Sequence, residues 1–143
     1  MVFVSKVLRV GLVACCSTKR TVALPARDLY VSTLFSKSRR WVERNTDEWA
    51  ILSALHGLVH PEQVLEPYDL TLNTLPASKV RQWADKVNHQ LRAKWDADAT
   101  LFVVLAGSKY RTALSGLNCH VPMRGLGIGK QLAWLTAAEV GAR

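Results

Sequence analysis

Leu52–Asp69, LSALHGLVHPEQVLEPYD, opens as an apolar run and closes on titratable groups. With Trp49, Ala50 and Ile51 in front of it, Leu52 completes the continuous apolar pattern of a strand covered on both faces, as in a sheet held between helices. Gly57 breaks that run, so Ser53 and His56 fall near the carboxyl end of the strand. Open α/β sheets place their ligands at that edge. His60 and Pro61 then begin a polar connection that delivers Glu66, Pro67, Tyr68 and Asp69, two carboxylates bracketing an aromatic ring. Each residue alone has an ordinary structural account: a cap or ion pair for Glu66, packing for Tyr68, a carbonyl partner for His56. As a cluster they mark a candidate site.

Working outward, Leu8–Ala14 (LRVGLVA) is expected as the first strand. Lys6 and Arg9 interrupt its apolar stretch, which falls well short of the ~20 residues of a membrane span and does not match a signal peptide. It runs into Cys15-Cys16-Ser17-Thr18-Lys19-Arg20, where hydroxyls and two cations, Ser17, Lys19 and Arg20 among them, suit a phosphate or carboxylate. Cys15 and Cys16, at the end of a core strand, are expected to be small buried hydrophobes rather than nucleophiles. After Pro25, Arg27 beside Asp28 is either an ion pair with a cap or a catalytic carboxylate set against a cation, and Tyr30 follows. A helix is expected from Ser32 to Asn45, with Leu34, Ser38, Trp41 and Val42 inward. Its outer face carries Lys37, Arg39, Arg40 and Arg44, a solvated face or a track for backbone phosphates.

Downstream, Pro76 occupies a first helical position, and Val80, Trp83, Ala84, Val87, Leu91 and Trp95 repeat at three and four residues, an amphipathic helix with its tryptophans at core spacing. Asp96 and Asp98 turn the chain into Thr100–Ala106 (TLFVVLA), a strand ended by Gly107. Ser108-Lys109-Tyr110-Arg111 opens another helix, placing two cations and a phenol on the same edge as His56. A short strand, Cys119–Val121, and the glycine-rich Arg124–Gly129 lead to a last helix with Gln131, Leu132, Trp134 and Leu135. GLGIG has the spacing GxGxG rather than GxGxxG, so no dinucleotide cofactor is expected. The alternation of strands and helices predicts one α/β domain over 1–143, a three-layer sandwich with a short, mostly parallel sheet.

The chain has 143 residues, 49% hydrophobic and 21% charged, enough for one real core and too few for two. Its three cysteines have no metal-ligand spacing, which points to a reducing, cytoplasmic setting, no bound metal and no cofactor. The formal charge is +8, and it is uneven: nine basic residues precede Thr46 against only Asp28 and Glu43. Such asymmetry suggests a face for a polyanion, nucleic acid being the commonest.

ACCSTKR, ARDLY, LSALHGLV, EPYD, AGSKYR and RGLGIGKQLAWL together resemble a family of small bacterial and phage proteins of unknown function. That family is similar to the core domain of archaeosine synthase and, more distantly, to the bacterial peroxide-stress protein. The resemblance implies a sandwich of the uracil-DNA glycosylase type and action on or near bases in nucleic acid, although no water-activating motif of the GQDPY kind is present. The expected activity is a DNA glycosylase that hydrolyses the N-glycosidic bond of a modified base and leaves an abasic site, in defence against phages with modified DNA. Such a reaction needs a carboxylate to orient water, for which Asp69, Asp28 and Glu66 are candidates in that order, and a donor to the leaving base, for which His56 is suited. The base must leave the stack, which calls for an aromatic wall from Tyr68, Tyr30 or Tyr110, with Ser53 beside it. Ser17, Lys19, Arg20, Arg27, Arg39, Arg40, Lys109 and Arg111 are the expected phosphate grips. The expected partner is DNA, bound by a monomer with no membrane association. The rival expectations are a base-modifying transferase and a basic DNA-binding protein without turnover.

Overall fold

Central strands of a parallel sheet need apolar side chains on both faces, and Leu8–Ala14 supplies them: Val10, Leu12 and Val13 are at most 2% exposed. The structure, a computed structural model, describes residues 7–17 and 19–141. Lys6, and Thr18 of the expected anion-binding turn, lie outside the described residues. In chain order the elements are β1 (Leu8–Ala14), β2 (Leu24–Pro25), α1 (Ala26–Leu29), α2 (Thr33–Asn45), β3 (Glu48–Ser53), β4 (Gly57–Val59), β5 (Val64–Leu65), α3 (Ala77–Lys94), β6 (Thr100–Leu105), α4 (Ser108–Arg111), β7 (Cys119–His120) and α5 (Ile128–Gly141). Short 3-10 turns at Leu72–Thr74 and Thr112–Leu114 join them.

Among the described residues the main sheet has the order β4-β3-β1-β6-β7. All its neighbours pair in parallel except β4, which folds back antiparallel on β3 with Ser53 opposite Gly57. Gly57 has φ +75°, the left-handed region that a tight return needs and that glycine adopts without strain. Beside the sheet, β2 and β5 form a two-residue antiparallel ribbon within the connection expected to be irregular.

Helices cover both faces. On one, a Cβ at Gly11 would lie 2.7 Å from Val42 Cβ, so glycine is what lets α2 settle on β1. Phe102 is paired with Val10, one step out of phase with Gly11, and therefore faces the other side, where its ring meets Trp95 at 5.9 Å. That second face belongs to α3, whose Val80, Trp83, Ala84, Val87 and Leu91 are all buried, as the spacing predicts. α5 joins α2 through Trp41 and Trp134, with rings 5.5 Å apart, and through Lys37 and Arg40, both paired with Glu139. Burial along α2 falls on Phe35, Ser38 and Val42, with Leu34 and Trp41 half-buried. The Ser32 hydroxyl caps α2 by accepting the Phe35 N–H at 3.1 Å. Pro76 stands one residue before α3, and its carbonyl accepts the Lys79 and Val80 N–H groups. The architecture is thus α/β, with a mostly parallel central sheet and flanking helices. Among the described residues no helix is long and apolar enough to cross a membrane.

Candidate functional site

Because β1, β3 and β6 are parallel, their carboxyl ends share one edge. From β1 the chain passes over α2 to β3 on one side, while from β6 it passes through α4 to β7 on the other. Connections that diverge from neighbouring strands leave a crevice between them, the usual ligand position in open α/β sheets. Here that crevice measures about 550 Å³. Cys15 and Cys16 at the end of β1 form one bank, and Gly107, Ser108 and Lys109 after β6 form the other. Phe35 and Ser38 of α2 and Gln131 of α5 also line it.

A second cluster sits at the end of β3. The hydroxyls of Tyr30 and Tyr68 share a hydrogen bond of 2.5 Å, and Tyr68 also bonds to Ser53 Oγ at 2.6 Å. Ser53 Oγ in turn accepts the His56 backbone N–H at 3.1 Å, and the His56 ring stands edge-on to Tyr68 at 5.3 Å. Lys19 Nζ lies 4.3 Å from the centre of the Tyr68 ring, enclosed and with no hydrogen bond among the described residues. Farther along the edge, Tyr110 Oη bonds to Cys15 Sγ at 3.4 Å and accepts the Leu72 N–H at 3.3 Å. Burial pushes the Tyr30 phenol up to about 12 and raises Tyr68 and Tyr110 well above their ordinary value, so all three are neutral at physiological pH.

The segment from Tyr68 to Asn73 links the two clusters. It is held at one end by Ser53 and Tyr30 and at the other by Tyr110 and by Lys109, whose Nζ donates to the Asn73 carbonyl at 3.4 Å. Asp69 rides on it, exposed and without an ion pair among the described residues; Glu66, just before it, is exposed in the same way.

The sequence-derived residues divide on this geometry. His56 follows the carboxyl end of β3 and Lys109, Tyr110 and Arg111 that of β6, while Tyr68 and Asp69 sit on the segment that runs between the two. Tyr30 and Ser53, expected at a base, are instead 2% and 0% exposed and act as anchors for Tyr68. Tyr110 is 6% exposed, with its ring against Trp83, so it serves as crevice wall more than free stacking surface. Asp28 is engaged by Arg39 Nη1 at 3.0 Å and by Arg27, and Arg27 also pairs with Glu62, which favours the ion-pair account of that segment. Arg39 binds Glu43 as well and Arg40 binds Glu139, so these two spend their charge within the fold. Lys19 is turned onto Tyr68, whereas Ser17 and Arg20 stay exposed. Cys15 is buried, as expected, and accepts the Ala54 N–H at 3.4 Å. Sequence reasoning passed over Asn73, Gln131 and Ser38 as site residues; a serine on the apolar face of α2 was the signal available for the last. Among the described residues no group of three histidines, cysteines or carboxylates is placed to hold a metal ion.

A family of unknown function, DUF6884, matches residues 10–137 of the chain. The chain belongs to that family. The DUF6884 match takes in both banks of the crevice, the Tyr68–Asn73 segment and all but the end of α5. The DUF6884 chain is also 33% identical over 93 residues to a Bacillus subtilis (strain 168) protein, "Uncharacterized protein YfjM", the aligned part covering 64% of this chain and 61% of that protein. No solved structure matches the chain.

Proposed function

We propose that this protein hydrolyses the N-glycosidic bond of a base in DNA, on a sandwich of the uracil-DNA glycosylase type. The observation that carries this reading is the Tyr68–Asn73 segment: it is pinned at both ends and carries a carboxylate, Asp69, with no ion pair among the described residues, between the His56–Tyr68 cluster and the crevice. In the reaction a water oxygen bonds to C1′ of the sugar as the C–N bond breaks, and the bonding pair leaves with the base. Asp69 takes the proton from water and offsets the positive charge growing on the sugar, while His56 gives a proton to the departing base. Ser17, Arg20 and Lys109, which are exposed, and Arg111, which is half-buried, hold the flanking phosphates. A role against phages with modified genomes belongs to the same proposal; equal sensitivity of strains with and without the gene removes it.

The deciding experiment is incubation with DNAs carrying different base modifications, followed by alkaline cleavage of abasic sites. Base release that falls by ~10²-fold or more in Asp69→Asn, with DNA affinity kept, supports the reading. DNA binding with no abasic sites on any substrate overturns it in favour of a base-modifying or non-catalytic binding protein.

A further inference from the structure

Resting on the proposed reading of this edge, we infer that the crevice between β1 and β6 is a nucleotide pocket that takes a nucleoside 5′-monophosphate unit, base inward and phosphate at the mouth. The inner end is defined by Ser38. It is 2% exposed, it lines the crevice, and its hydroxyl has no hydrogen bond among the described residues. That hydroxyl is not among the enclosed unpaired groups, so it is open to the crevice, where a ligand can bond to it. A polar edge of a base supplies the partner that the fold does not. Phe35 and Met123, 2% and 6% exposed, stand in the same lining with Leu126 and give it an apolar surface.

The mouth has the opposite character. Lys109 is exposed and Arg111 half-buried, and Arg111 spends one N–H group on the Ala106 carbonyl at 2.9 Å. Among the described residues no carboxylate lines the crevice, so neither cation is neutralised there and both remain for a phosphate dianion. A Cβ at Gly107, or at Gly127 and Gly129 next in the chain to the lining residues Leu126 and Gln131, would meet nothing within 4 Å. Packing therefore does not call for bare backbone at those positions, while a ligand entering between the rims makes use of it. The volume of about 550 Å³ is within the range of roughly 300–1,000 Å³ usual for small-molecule sites and far above what an inorganic anion fills.

The test is calorimetric titration of the intact protein with common deoxynucleoside 5′-monophosphates, the matching nucleosides and inorganic phosphate. Monophosphates are expected to bind at least about tenfold more tightly than either nucleoside or phosphate, a difference of ~1.4 kcal/mol. Lys109→Met, at an exposed position, should lower the nucleotide's affinity toward the nucleoside's, with Arg111 holding the remainder, and should leave nucleoside binding unchanged. Ser38→Ala should weaken nucleoside and nucleotide alike, with the thermal melting point checked to show that the fold is kept. Equal binding of phosphate and nucleotide, no binding by any of the three, or a Ser38→Ala protein with unchanged affinities each overturns the inference. The two proposals fail separately: base release from DNA by a protein that binds no mononucleotide removes this one alone, and mononucleotide binding without base release from any DNA removes only the glycosylase reading.

Discussion

Replacing Tyr68 by Phe tests the cluster at the end of β3 with almost no change of shape. The substitution keeps the ring against His56 and Lys19 but removes the hydroxyl that bonds to Tyr30 and Ser53. Two hydrogen bonds at about 0.5–1.5 kcal/mol each are lost, and one buried group is orphaned at about 1–3 kcal/mol. The orphan is the Tyr30 hydroxyl, on a residue 2% exposed, whereas Ser53 still accepts the His56 N–H. Since these terms overlap, the expected loss is about 2–4 kcal/mol, a fall of about 1–2 M in the urea midpoint at a slope of ~2 kcal/mol/M. Adding Tyr30→Phe removes the orphan, so the double variant should lose less than the sum of the singles, by about 1–2 kcal/mol. Urea unfolding followed by tryptophan fluorescence measures all four proteins. A midpoint unchanged in Tyr68→Phe, or strictly additive losses, would refute the idea that these hydroxyls work as one buried network.

Alkaline pH should act on the same group: above about 10 the unfolded chain releases the Tyr30 proton while the folded chain keeps it to about 12, so stability present below pH 10 declines through this window, by up to about 3 kcal/mol. Tyr30→Phe should make that decline less steep in urea midpoints taken across the window, Tyr68 and Tyr110 supplying the rest, and an equally steep fall in the variant contradicts the assignment. For DNA, Lys109→Gln and Arg111→Gln should each lower the salt-dependence slope of binding by about one, while Arg39→Gln and Arg40→Gln should leave it unchanged because Asp28, Glu43 and Glu139 already hold those charges. A slope that responds to Arg39 and not to Lys109 would place the DNA on α2 instead. Gly11→Ala should destabilise by about 1–3 kcal/mol through overpacking against Val42, read as a lower melting temperature; an unaltered melt would mean α2 can move away from the sheet.

Local pattern was enough for the elements that repeat. The apolar runs of β1, β3 and β6 and the spacing from Val80 to Trp95 follow from chain periodicity alone, and they suffice for an α/β domain whose parallel strand ends share one edge. Two-residue ribbons such as β2 with β5 leave no periodicity to read, so that pairing stayed out of reach. The site depended still more on the tertiary fold. Arg39 and Arg40 looked like a phosphate track because their partners Asp28 and Glu139 are 11 and 99 residues away, and Tyr30 looked like a free ring because Tyr68 is 38 residues on. Sequence determines which groups a chain owns and the period at which they recur. Which of them meet, and which are left free at the crevice, is decided only when packing brings distant segments within hydrogen-bonding distance, an interaction too short in range to leave a trace in the local pattern.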